Sequence, residues 1–80
     1  MSRPLSIPTE FEVKIENDLK NIITYLVRKR HDLGLTQAEM AQKMGCEITT
    51  VQAIENSRKI PSTKTLLLMM RVLKVKFEMN

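Results

Sequence analysis

The chain of 80 residues contains one cysteine, Cys46, so it cannot form an internal disulfide. Such a sequence suits a reducing compartment, and we expect a cytoplasmic protein. Long apolar runs are also absent: the longest, Leu66–Met70, is far shorter than the roughly 20 residues that cross a bilayer. The first residues, 1–4, lack the apolar core of a signal peptide. The sequence therefore predicts no membrane partner.

Side chains for catalysis or metal binding are equally scarce. His31 is the sole histidine, and Cys46 has no second cysteine with which to share a metal. No pairing of a nucleophile with a base can be recognised, and no zinc-ligand spacing occurs. We expect no enzymatic activity, no catalytic residue, no metal and no cofactor, with Cys46 serving as a small buried hydrophobic residue.

The charged residues leave a surplus of positive charge. Lysine and arginine number 13 against 9 acidic residues, giving a net charge of +4. That balance is compatible with a polyanionic partner but is common among soluble proteins. The length allows one domain. We assign residues 1–9, which contain Pro4 and Pro8, to a flexible lead-in and residues 10–80 to a single domain.

The first predicted helix lies near residues 19–32. We expect Asp18 to cap its start and Gly34 to end it. Basic residues crowd its last turn, where they suit the negative end of the helix dipole. Its apolar residues recur at helical spacing and predict one buried stripe: Leu19, Ile22, Ile23, Leu26 and Val27.

Three shorter helices follow. Thr36, with Glu39 three positions later, forms a capping box for a second helix that Gly45 ends. A third helix is predicted near residues 48–56, and a fourth near 63–73 with Ser62 as its cap. The side chains predicted to face inward are Met40, Ala41 and Met44, then Val51 and Ile54, then Leu66, Leu67, Met69, Met70 and Leu73.

The segment before the first helix alternates apolar and charged residues. Phe11, Val13 and Ile15 have a period of two, which is typical of a half-buried strand. Thr9 followed by Glu12 also fits a helical capping box. On a helix, however, Val13 would point away from Phe11 and Ile15, so we favour a strand over residues 10–16.

The tail has the same period of two and predicts a second strand over residues 74–79. A lone strand leaves backbone groups unpaired and needs a partner, which a second copy of the chain could provide. An antiparallel pair centred on Lys76 would place Lys74 opposite Glu78 twice, with residues 10–16 flanking it. The predicted dimer strand is Lys74, Val75, Lys76, Phe77, Glu78 and Met79.

The second and third helices carry the functional signal. Separated by Gly45-Cys46-Glu47, they have the dimensions of a helix-turn-helix. Ala41 is small where the two helices must approach closely, and Gly45 permits the turn. The outer face of the third helix carries short polar side chains, which leave it free to enter a major groove.

The motif GLTQAEMAQKMG over residues 34–45, followed by Val51, Ile54-Glu55-Asn56 and Pro61-Ser62, resembles the phage repressor/Cro (XRE-type) helix-turn-helix family. The likeness covers residues 19–73. It implies a mainly α, four- to five-helix repressor-like domain that binds double-stranded operator DNA as a homodimer. The terminal strands, 10–16 and 74–79, would add an intersubunit sheet to that fold.

The resemblance also implies roles for particular residues. Glutamine can bridge adenine, and an isoleucine side chain or a threonine methyl suits the thymine methyl group. Arg30 would pair with Glu55 in a structural role. Glu47 departs from the family, which usually has serine or another small capping residue there. The implied base contacts are Ile48, Thr49, Gln52 and Ala53, and the implied phosphate contacts are Gln37, Asn56, Ser57, Arg58 and Lys59.

Two functions fit this pattern. The first is a dimeric, sequence-specific repressor that also acts as the antitoxin of a toxin–antitoxin operon, neutralising a kinase-like toxin. It rests on a resemblance to HipB-type antitoxins, carried by the strand after the last helix and by the overall length. The alternative is a stand-alone phage or restriction-system regulator that has no toxin partner.

Overall fold

The computed structural model describes residues 9–76, which contain four helices and no β-strand. They are α1 (Glu10–Asp32), α2 (Gln37–Met44), α3 (Ile48–Glu55) and α4 (Thr63–Val72). The mainly helical fold and the positions of α2, α3 and α4 confirm the prediction. Within residues 9–76, no helix combines the length and the apolar character needed to span a membrane.

The strand predicted over residues 10–16 was wrong, because this segment is the first part of α1. Thr9 has extended backbone angles and its side chain accepts a hydrogen bond from the Glu12 backbone N–H at 3.2 Å. Glu10 pairs with Lys14 one turn later at 3.2 Å, and acidic residues in the first turn suit the helix dipole. Asp18 consequently lies inside the helix and does not cap it.

Glycines with positive φ end the first two helices. Gly34, at φ 70°, follows α1, and Gly45, at φ 72°, is the C-cap of α2. In both turns the next residue donates its N–H back to the helix: Leu35 to the Arg30 carbonyl and Cys46 to the Ala41 carbonyl, each at 3.0 Å. These bonds satisfy carbonyl groups that helix ends leave free. They fix the direction in which α2 and α3 begin.

The capping box at the start of α2 is present as predicted. The Thr36 side chain accepts from the Glu39 N–H, and the Thr36 N–H donates to the Glu39 carboxylate, both at 3.0 Å. The backbone hydrogen bond from Thr36 holds the pKa of Glu39 below its ordinary value. The resulting contribution to stability is therefore present at neutral pH and is lost as the pH falls through the lowered pKa.

The core draws side chains from all four helices. α3 packs against both α1 and α2, and α4 packs against α2. Burial of each large side chain contributes about 1.5–3 kcal/mol, so these contacts are the main support of so short a helix as α3. The buried apolar residues are Ile23, Leu26, Met40, Ala41, Met44, Val51, Ile54, Met69 and Leu73.

Two predicted core residues are exposed, and the tail strand is not seen. Ile22 and Leu67 belong to helices whose buried faces are narrower than the apolar spacing suggested. After α4, Leu73 and Lys74 form a turn, and Val75 packs partly buried against the core. Of the predicted dimer strand, residues 74–76 are not in a strand, and Phe77, Glu78 and Met79 lie outside the described residues, as does most of the lead-in.

Candidate nucleic-acid interface

α2 and α3 form a helix-turn-helix in which α3 has one free face. Val51 and Ile54 are completely buried and hold α3 against its neighbours. On the opposite side, Ile48 and Thr49 are exposed, while Gln52 and Ala53 are half-buried. The structure thus brings the four predicted base-contact residues together on the outward face of a single helix.

A buried ion pair between α1 and α3 fixes the position of α3. The Arg30 guanidinium meets the Glu55 carboxylate through two hydrogen bonds, Nε to Oε2 at 2.8 Å and Nη2 to Oε1 at 3.0 Å. Both side chains are nearly inaccessible, at 7% and 6% exposure. A parallel two-bond pair of this kind sets distance and orientation at once. The pairing implied by the family resemblance is therefore present.

The same ion pair reaches the start of α2. The Arg30 Nη1 donates to the Leu35 carbonyl at 2.7 Å, and the Gln37 Nε2 donates to the Glu55 Oε1 at 3.0 Å. The contact with Leu35 was missed in the sequence, because a backbone carbonyl carries no residue-type signal. We call Arg30, Leu35, Gln37 and Glu55 the hinge network. It joins the end of α1, the start of α2 and the end of α3.

The orientation of the Gln37 amide follows from this network. An ionised carboxylate can only accept hydrogen bonds, so the NH2 group of Gln37 must face Glu55. That group has a second N–H, which the carboxylate does not use. Gln37 is half-buried at the first position of α2, so its amide lies at the rim of the helix pair.

The start of α3 differs from a serine-capped helix. Glu47 is the N-cap residue with extended backbone angles, but its side chain makes no capping hydrogen bond. Its carboxylate instead accepts a hydrogen bond from the Thr49 hydroxyl at 3.5 Å, within the exposed end of the helix. The side chain of Glu47 therefore brings a carboxylate to the exposed start of α3, beside Thr49.

Four of the residues predicted to contact phosphates lie in the turn that follows α3. Asn56 is the C-cap, and Ser57 has φ 59°, a conformation that favours glycine. The Arg58 and Lys59 N–H groups both donate to the Ala53 carbonyl, at 2.8 and 3.2 Å. This turn places all four residues on the surface: Asn56, Ser57, Arg58 and Lys59.

The described residues contain no cluster of histidine, cysteine or acidic side chains that could hold a metal. Cys46 is partly buried and packs against the core in the turn between α2 and α3.

Comparison with known proteins places this arrangement in a family. A family model described as helix-turn-helix (HTH_3) matches residues 26–79, more than half of the chain. The "ImmF control region 10 kDa protein" of Bacillus phage phi105 is 43% identical over 49 residues, which are 61% of this chain. The match spans 54% of that relative's length. No solved structure matches the chain significantly.

The matched region contains the α2–turn–α3 unit, the outward face of α3 and the residues of the hinge network. The chain belongs to the helix-turn-helix family of phage repressor and Cro (XRE) type, whose members are DNA-binding transcriptional regulators.

Proposed function

We propose that the chain recognises a specific operator sequence and controls transcription from it, as a regulator of the phage type. The outward face of α3, held in place by the hinge network, carries this proposal. The relative from Bacillus phage phi105 is described as a control-region protein, which supports the phage setting. That description applies to the phage relative, and the relative is longer than the region that matches this chain.

In this proposal α3 enters the major groove. Gln52 reads adenine through its amide, while Ile48 and the Thr49 methyl contact thymine, with Ala53 close to the bases. Gln37 donates its second N–H to a phosphate and keeps its bond to Glu55. Contacts of this kind with the DNA phosphate backbone set the register of the recognition helix. Asn56, Ser57, Arg58 and Lys59 complete the proposed phosphate contacts.

Replacing Lys59 by alanine should weaken binding to operator and random duplexes alike. Removing one phosphate contact should lower the slope of log affinity against log salt by about one. Fluorescence anisotropy titrations at several salt concentrations measure that slope. Lys14→Ala is the control, because Lys14 is exposed and pairs with Glu10 at the far end of α1. Equal slopes for the two variants would show that Lys59 does not contact a phosphate.

We also propose that the regulator acts as a dimer, because two α3 helices in successive major grooves, about 34 Å apart, gain specificity. Residues 74–76 are not in a strand, so of the strand predicted for the contact only residues 77–79, which lie outside the described residues, stay untested. Without a strand over residues 10–16, that contact would be a two-stranded ribbon, which is at best marginally stable alone.

The antitoxin hypothesis remains a prediction that no contact in residues 9–76 favours. It requires a kinase-like toxin that binds the DNA-competent dimer, so toxin and operator must change each other's affinity by the same factor. Affinity purification from the native host, with the adjacent gene product as the protein sought, tests it. If only DNA and the chain itself are recovered, the antitoxin hypothesis is wrong and the phage-type regulator remains the proposal.

The proposed function is tested by selecting ligands from a library of random duplexes. We expect one enriched sequence, arranged as two related half-sites about one helical turn apart. A library that stays random after repeated selection, with the chain folded, would contradict sequence recognition.

A further inference from the structure

We propose that the outer face of α1 is the contact surface for a second copy of the chain, with the two α1 helices antiparallel. This inference concerns self-association and does not rest on DNA binding. It begins with apolar side chains of α1 that are exposed within the described residues, 9–76.

Four apolar residues of α1 are exposed beside its buried face. Phe11 is 73% and Ile15 63% exposed, and Ile22 and Tyr25 are exposed as well. Together with Asp18 and Lys29 they recur at alternating intervals of four and three residues, which places them along one side of the helix. We call this set the α1 stripe: Phe11, Ile15, Asp18, Ile22, Tyr25 and Lys29.

The α1 stripe has the pattern of a helix–helix contact. Alternating intervals of four and three are the spacing of a coiled-coil seam, in which each side chain inserts between residues of the facing helix. Contiguous exposed apolar patches frequently mark interaction sites. The long free face of α1 therefore fits another helix.

The charges of α1 favour a second α1 in the opposite direction. Residues 10–18 contain four carboxylates and one lysine, whereas Arg28, Lys29 and His31 lie at the other end; Arg30 is buried and already paired with Glu55 of its own chain. Parallel helices would set like charges side by side. Antiparallel helices bring the acidic half of each beside the basic half of the other, which favours association and fixes orientation.

The polar members of the α1 stripe select one register. A two-fold axis near Ile23 places Asp18 opposite the partner's Lys29, and Ile22 opposite the partner's Tyr25, each contact occurring twice. In one chain Lys29 lies over the Tyr25 ring, with its Nζ 5.9 Å from the ring centre. Its charge is therefore already on the contact face. The same register sets Ile15 opposite the partner's Asp32, next to the partner's Leu33, which is exposed in the single chain.

Sedimentation equilibrium of the full chain in DNA-free buffer tests the surface, with two matched variants of α1. Ile22→Lys alters the α1 stripe at a residue that is 41% exposed, and Val13→Lys alters the opposite side at one that is 43% exposed. We expect a wild-type dimer, a dimer dissociation constant raised at least roughly 10-fold by Ile22→Lys, and no change for Val13→Lys. Circular dichroism verifies that each variant is folded.

A charge exchange tests the register. Asp18→Lys and Lys29→Asp should each weaken the dimer, and the double variant should restore it, because the opposed pair is re-formed with its signs reversed. A monomeric wild type, or equal effects of Ile22→Lys and Val13→Lys, would overturn the proposal. Loss of the dimer on deleting residues 74–80, with Ile22→Lys still dimeric, would move the contact to the tail. None of these outcomes decides whether the chain recognises a specific DNA sequence, which the selection experiment tests separately.

Discussion

Replacing Arg30 by alanine should lower the free energy of unfolding by about 3–5 kcal/mol, because it leaves the buried Glu55 carboxylate without its guanidinium partner. The Leu35 carbonyl loses its donor in the same variant. Since domains of this size are only marginally stable, that loss should leave much of the protein unfolded at room temperature. Urea unfolding followed by circular dichroism measures it.

Arg28→Ala is the matched control for this variant. Arg28 is exposed two positions earlier on α1, and its truncation should change stability by no more than about 0.5 kcal/mol. The double variant Arg30→Met, Glu55→Leu should lose less than Arg30→Ala, because no unpaired charge is left buried. Equal stabilities of Arg30→Ala and Arg28→Ala would show that the hinge network does not hold α1 and α3 together.

Replacing Gln52 by alanine should weaken binding to the selected operator by about 1–3 kcal/mol and leave binding to random duplexes nearly unchanged. The reason is that the proposed contact of Gln52 is with a base and adds no charge near a phosphate. The salt dependence should therefore stay as in the wild type. Anisotropy titrations with both duplexes measure the two affinities.

Gln42→Ala supplies the control for Gln52. Gln42 is an exposed glutamine on α2, and the same atoms are removed outside the face of α3. We expect its operator affinity to match the wild type. If Gln52→Ala also keeps full operator affinity, the outward face of α3 has been assigned to the wrong role.

The sequence predicted the elements whose signals are local. Thr36 with Glu39 and Ser62 with Thr65 cap α2 and α4 through neighbours three positions away, so the starts of these helices could be inferred directly. Gly34 and Gly45 marked the turns for the same reason. The ion pair between Arg30 and Glu55 joins residues 25 positions apart, and only the family resemblance suggested it.

The strand over residues 10–16 failed because its argument assumed that apolar side chains are buried within their own chain. Phe11 and Ile15 are exposed on a helix, and Val13 does point away from them, as a helix requires. The cap at Thr9 and the ion pair of Glu10 with Lys14 decided the local structure. An exposed apolar face can carry the same residues as a core, and periodicity alone could not separate the two.

For the candidate site, the sequence predicted which residues face outward more fully than it predicted the hydrogen bonds between them. Val51 and Ile54 were expected to face inward, and their burial leaves the four predicted base-contact residues outside. The bonds between Gln37 and Glu55 and between Thr49 and Glu47 depend on side-chain geometry that residue spacing does not determine. Contacts of these residues with DNA remain predictions.

The most direct test of operator recognition compares two duplexes of equal length and composition, the selected operator and a scrambled version of it, at one physiological salt concentration. Isothermal titration with the full chain gives both dissociation constants. We expect the operator to bind about 10³-fold or more tightly than the scrambled duplex. Equal dissociation constants for the two duplexes would contradict it.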